Sequence, residues 1–289
     1  MQPLQSAAGR QIFKLISSCH QVRQAGRGQN RLRDCSCDER YAMKITACIL
    51  LTLIISTSAV MADTILLANF NNKPLNQPIG TGGAAAGEPT TVAPVIDAIV
   101  RASPGGGRML EMFMEQLPST QAVRFQFLEN QEVQSGELLI KARIRLAAED
   151  EFSNIGILLR EANGSSQSFM NMNLFSLNRR LQIQRPGVPV TSFLNVLNLS
   201  DANDLTILYD LDDMHISVCL NGSLLVAELP TLFESTRGIG GLLVSMVGTS
   251  GDTLVNLEEL LVQRGPFDDP IQQTLFSDRF QLLPPACPF

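Results

Sequence analysis

After Asp63 the apolar residues of this chain recur with period two. In Glu137–Leu146 (ELLIKARIRL), Leu138, Ile140, Ala142, Ile144 and Leu146 point one way, and Lys141, Arg143 and Arg145 point the other. That is a β-strand with one dry and one wet face, the mark of antiparallel sheet. A chain patterned in this way throughout cannot bury itself as helices.

The same pattern predicts strands at Thr64–Phe70, Met109–Glu115, Val123–Leu128, from Ile155 to Arg160, Ser168–Phe175, Leu181–Gln184, Thr206–Leu211, His215–Leu220, Ser223–Glu228, Ile239–Val247 and Leu254–Gln263. Turns are expected at Asn163-Gly164, near Asn178-Arg179, at Asp212-Asp213 and at Asn221-Gly222. Asn-Gly is favoured there because both central positions of a tight hairpin need positive φ. Val95–Arg101 reads equally as a short helix or a strand. Ten or more strands with no alternating helices predict an all-β, two-sheet antiparallel β-sandwich or a barrel.

The segment Ile45–Met61 (ITACILLTLIISTSAVM) follows Lys44 and precedes Ala62-Asp63. A cation, an apolar stretch and a small-residue end are the parts of a secretory signal, with a cut expected between Ala62 and Asp63. The stretch is shorter than the roughly 20 apolar residues of a spanning helix, so no membrane span should survive cleavage. The expected division is therefore a signal at 43–62, a β-sandwich domain at 63–264 and a Pro-rich tail at 265–289. Residues 1–42 are basic, polar and without apolar period; Met43 is the expected start, and a disordered basic extension is the alternative. The product would be secreted or periplasmic.

Residues 1–62 hold 8 of the 22 basic and 3 of the 28 acidic side chains, leaving 14 and 25 for residues 63–289, a net charge near −11. Such a domain repels phosphate backbones, so nucleic acid is a poor partner. The chain has no Trp and two Tyr, so flat stacking platforms are scarce. Of six cysteines, only Cys219 and Cys287 lie beyond the signal. In an oxidising compartment they are expected to pair, the alternative being two separate thiols.

Three features resemble the concanavalin A-like (laminin G-type) jelly-roll domains of secreted bacterial proteins. They are Asn69-Phe70-Asn71 after the first strand, the meander from Ile155 to Glu228 with its Asn-Gly turn, and the closing pair Arg237–Val247 and Leu254–Gln263. The resemblance covers roughly 64–264 and implies two stacked sheets with a face open to ligand. Such domains include lectins, glucan hydrolases and alginate lyases, so it does not settle activity.

No catalytic residue is assigned. Glu149-Asp150-Glu151 is contiguous rather than alternating, which suits a turn better than a carboxylate pair flanking a glycosidic bond. His215 is the only His after the signal and cannot build a Ser-His-Asp triad with confidence. Gly80–Pro89 lacks the Gly-Lys-Ser/Thr ending of a phosphate loop. Asp201, Asp204, Asp210, Asp212 and Asp213 crowd one region and are the candidate calcium ligands, with turn formation the alternative; no other cofactor is expected. Asn163, Asn198 and Asn221 match the N-glycosylation pattern, two of them at turns that want Asn-Gly anyway. The reading is a non-catalytic secreted module that binds a polysaccharide or a surface protein, or serves structurally. The rival is a divergent polysaccharide hydrolase or lyase.

Overall fold

The computed structural model describes residues 62–116, 119–128, 132–146, 154–161, 168–231, 238–247, 252–265 and 267. The basic extension, the signal up to residue 61, nearly all of the C-terminal tail, Glu149-Asp150-Glu151 and Asn163-Gly164-Ser165 lie outside these residues.

Fifteen strands are described: β1 (Asp63–Ala68), β2 (Thr91–Val92), β3 (Asp97–Ala102), β4 (Arg108–Met114), β5 (Thr120–Gln126), β6 (Glu137–Leu146), β7 (Asn154–Glu161), β8 (Ser168–Phe175), β9 (Arg180–Gln184), β10 (Thr191–Phe193), β11 (Asn203–Asp210), β12 (His215–Leu220), β13 (Ser223–Pro230), β14 (Ile239–Val247) and β15 (Thr253–Gly265). One sheet runs β13-β12-β11-β6-β15-β4-β3, with β1 also paired to β15; the other runs β10-β9-β8-β7-β14-β5-β2. Every pairing is antiparallel. Among the described residues there is no α-helix, and no helix is long and apolar enough to cross a membrane. The fold is an all-β, two-sheet antiparallel sandwich.

Period two fixes which side chains meet. In β6 against β11, Leu138 faces Tyr209, Ile140 faces Ile207 and Ala142 faces Leu205, all buried. Phe125, Ile157, Met172, Ile183 and Val244 of the second sheet join them in one core. Burying such side chains contributes about 1.5–3 kcal/mol each. A slip of one residue in any of these strands would turn its apolar set outward, so register is strongly specified.

The strands lie where the alternation places them, and Val95–Arg101 resolves into strand β3. The short strands β2 and β10 span only two and three residues, too few to show a period. Asn221 (φ 51) and Gly222 (φ 78) both take the left-handed conformation that the hairpin requires. One feature departs from simple alternation. Register shifts in β15 between Leu257 and Glu259, where Leu257 faces Ile144 and Glu259 already faces Arg143. Glu258 is the extra residue of a β-bulge. The bulge also divides the long strand, whose first half pairs β4 and whose second half pairs β1.

Candidate functional site

The outer face of the seven-stranded sheet is polar, and the charges among its described residues are the arginines Arg124, Arg160 and Arg180. Core positions such as Val123, Ile157, Met172, Ile183 and Val244 point inward, so their strand neighbours point out. Register then aligns them. Ala122, Ser245, Gly156, Asn173, Gln182 and Ser192 form one row across six strands. Arg124, Leu243, Leu158, Asn171 and Gln184 form the next, and Gln126, Gly241 and Arg160 a third. Asn154, Phe175 and Arg180 flank the first row on its other side.

Gly156 is the low point of this face. A Cβ there would collide with Ser245 Oγ and lie 2.9 Å from Asn171 Oδ1 and 3.1 Å from Asn173 Oδ1, so three polar side chains close over a residue that has none. Ser245 Oγ donates to Gly156 O (3.3 Å), and Asn171 Nδ2 donates to Gln184 Oε1 (3.3 Å). The carboxamide oxygens of Asn154 and Asn171 are buried among their neighbours yet accept no hydrogen bond. An unmet buried polar atom costs about 1–3 kcal/mol, and in a native protein such groups concentrate where function rather than stability sets the composition. The Arg180 guanidinium lies 4.1 Å from the centre of the Phe175 ring. Burial pushes the Arg160 guanidinium below its ordinary value, and the charge of Arg124 adds to that.

The outer face of the other sheet is charged and internally neutralised. Arg143 pairs with Glu258 (2.7 Å) and Asp204 (3.0 Å), and Arg145 with Asp201 (3.0 Å) and Glu258 (3.2 Å). Ser103 Oγ donates to Glu258 (2.9 Å), and Arg101 pairs with Glu111 (3.0 Å). A shallow cavity of about 230 Å³ beside Lys141 and Thr206 is walled by the already paired Arg143 and Asp204.

The five aspartates singled out for calcium do not converge. Asp201 and Asp204 sit at the start of β11 on the arginines, while Asp210, Asp212 and Asp213 sit at its far end. There Asp210 Oδ1 accepts from the Asp212 (2.9 Å) and Asp213 (3.0 Å) amides, a turn that holds itself. Among the described residues no three His, Cys, Asp or Glu side chains group as a metal site. Asn198 and Asn221 are likewise engaged locally, Asn198 Oδ1 with the Ser200 and Asp201 amides and Asn221 Oδ1 with the Asp204 amide. In Gly80–Pro89 the Glu88 carboxylate accepts from the Gly82 amide (2.8 Å) and pairs with Lys73 (2.8 Å), so the glycines make room for an internal strut.

Cys219 faces away from the main core, as alternation with Ile216, Val218 and Leu220 requires, yet it is only 1% exposed. It is disulfide-bonded. Its partner lies outside the described residues, as Cys287 does. His215 opens β12 half-buried, opposite Asp210 and Pro230.

None of the polar-face residues stands out in the sequence as a candidate. Asn171-Met172-Asn173 and Gln182-Ile183-Gln184 announce alternating strands, but a carboxamide in an outward position is also what any soluble sheet presents. Only the register across six strands brings them together.

Two antiparallel sheets closed on one shared core make this a two-sheet β-sandwich, with the two stacked sheets that the concanavalin A-like resemblance implies. No protein-family model and no curated protein matches the sequence. Solved structures similar to it include a carbohydrate esterase from the Shiga toxin-encoding bacteriophage phi24B (10% identity, TM-score 0.49, covering 71% of this chain and 100% of that one). Another is alginate lyase A1-II′ of polysaccharide lyase family 7 (11% identity, TM-score 0.45, 71% and 95%). A third is the Trypanosoma rangeli sialidase (12% identity, TM-score 0.40, 60% of this chain), of whose length the chain spans 28%. Matches this distant say nothing of what the present chain binds.

Proposed function

We propose that this chain is an exported, non-catalytic module that binds a glycan across the outer face of its seven-stranded sheet. The observation that carries this reading is the composition of that face. Carboxamides, a serine and arginines line up across it in register, and among its described residues there is no Asp, Glu or His. Amides and guanidinium groups suit sugar hydroxyls, which both donate and accept. Hydrolysis of a glycosidic bond by the common route needs two carboxylates on opposite sides of it, and general-base chemistry needs a group that titrates near the working pH. Neither is available among the described residues of this face, which favours binding over turnover.

The test is a glycan and polysaccharide array probed with the exported product, with and without calcium. Binding is expected in both conditions. Asn171→Ala should weaken it about tenfold, from the loss of one or two hydrogen bonds, with the thermal midpoint held. Lys141→Ala, on the opposite sheet, should leave it unchanged. A blank array would overturn the proposal. So would release of shortened or unsaturated saccharide from a bound polymer, which would move the chain to the hydrolase or lyase class.

A further inference from the structure

Two stretches of the eight-stranded sheet's outer face differ in what they meet. Register sets Arg143 beside Asp204, and these side chains are 44% and 56% exposed. Leu139, Leu208 and Ser217 form another row on the same face, as alternation with the inward Ile140, Ile207 and Val218 requires. Yet Leu139 is 5% exposed, Leu208 8% and Ser217 5%. Cys219, in the row between with Lys141 and Thr206, is shut off as completely. Leu139, Leu208 and Cys219 all stand outside the main core. Outward side chains of a sheet that faces water keep part of their surface. These have lost it, so a layer lies over them.

The chain begins that layer itself. Gly265, the last residue of β15, faces outward beside Glu137. The Phe267 ring folds back onto it, since a Cβ at Gly265 would lie 2.8 Å from that ring. The Phe267 amide donates to the Glu137 carboxylate (2.5 Å). The row of Glu137, Asp210 and His215 borders that of Leu139, Leu208 and Ser217. At the far end of the covered strip, Cys219 is disulfide-bonded to a residue outside those described. Cys219 lies four residues along β12 from His215 and two strands over from Glu137, about 16 Å away. The 20 residues from 268 to 287 span up to about 66 Å when extended, so the tail reaches Cys219 with slack. It also carries apolar side chains suited to covering leucines, among them Ile271, Leu275, Phe276, Phe280 and Leu282.

We infer that the C-terminal tail, residues 268–289, is a strap laid from Phe267 across Leu139 and Leu208 and fastened by a Cys287–Cys219 disulfide. The strip is thus a docking surface whose partner is the chain's own tail, and an external partner is kept off it while the bridge holds. Fastening makes the contact intramolecular, so even a weak apolar contact is held at high effective concentration. The strap also accounts for the two leucines at outward positions between Glu137 and Lys141, which alternation alone leaves unexplained.

The experiment uses the whole exported product with a photoreactive benzophenone side chain in place of Lys141, which borders Leu139 on the same face. Illumination and peptide mapping should join position 141 to a peptide from residues 268–289. Links only to residues 1–62 or to a second copy of the chain, or no link at all, would overturn the inference. Hydroxyl-radical footprinting gives a second readout. In the wild type, Leu139 and Leu208 should be protected relative to Leu194, which is 60% exposed. Cys287→Ser should raise the labelling of both several-fold while Leu138 and Ile207, in the core, stay silent. Unchanged labelling of Leu139 and Leu208 in that variant would also overturn the strap. Should Leu138 and Ile207 react as well, the variant has lost its fold, and the photochemical link in the intact chain decides.

Discussion

Truncating Glu258 to alanine should destabilise the sandwich by about 2–3 kcal/mol. The Glu258 side chain is 9% exposed and accepts hydrogen bonds from Arg143 Nε (2.7 Å), Arg145 Nη2 (3.2 Å) and Ser103 Oγ (2.9 Å). Removing one partner of a buried pair costs about 3–5 kcal/mol, because the remaining charge is stranded. Two facts lower that figure here. Arg143 is 44% exposed and so keeps solvent, and each arginine retains a second carboxylate, Asp204 or Asp201. For a domain of this size each kcal/mol moves the thermal midpoint by about 2–4 °C, so a fall of about 4–12 °C is expected at pH 7. Calorimetry or circular dichroism against temperature measures it. The pH dependence supplies a second readout. Burial pushes the Glu258 carboxyl up, but hydrogen bonds from Arg143, Ser103 and Arg145, with the charge of Arg145, hold it below its ordinary value of 4.5. A carboxyl depressed in the folded state stabilises fully above its unfolded value, and that contribution is lost as pH falls through the folded one. Wild type and Glu258→Ala should therefore stay apart from pH 7 down to about 4.5 and converge below it. A difference under about 0.5 kcal/mol at pH 7, or one that widens on acidification, would refute the reasoning.

Arg185, 8% exposed, donates to Pro230 O, Pro189 O (3.2 Å) and Thr191 Oγ1 (3.2 Å), tying the end of β9 in one sheet to the end of β13 in the other. Arg185→Met should cost about 1–3 kcal/mol through stranded carbonyls; a higher denaturant midpoint in the variant would show instead that desolvation of the guanidinium dominates. Peptide mapping without reduction should recover the Cys219 peptide linked to the Cys287 peptide, and Cys219→Ser should lower stability by about 2–4 kcal/mol; a Cys219 link to any cysteine of residues 1–62 excludes that pairing. The mass of the exported product should correspond to a start at Asp63 or within a few residues of it, and a product retaining Ile45–Met61 would contradict cleavage.

What the sequence determined by itself was the class of fold and the inward set of each strand. Period two in Glu137–Leu146, Ile155–Arg160 and His215–Leu220 leaves one way to bury Ile140, Ile157 and Val218, and Asn221-Gly222 names its own turn, since few other pairs take positive φ twice. These are local properties, and local chemistry is written in local sequence. The relations between strands are not. Nothing in Glu258-Glu259 distinguishes two adjacent surface acids from a bulge that drives the first between Arg143 and Arg145; register with β6 decides that. Asp201 to Asp213 look like one cluster because they are close along the chain, but β11 is extended at about 3.3 Å per residue and separates the residues at its two ends by its whole length. Arg124 and Arg160 are 36 positions apart, and β14, more than 75 positions further on than Arg160, comes between them in space. Their proximity, in a stretch with no carboxylate among its described residues, follows from which strand lies beside which, a choice that the pooled burial of two whole sheets makes and no single segment records.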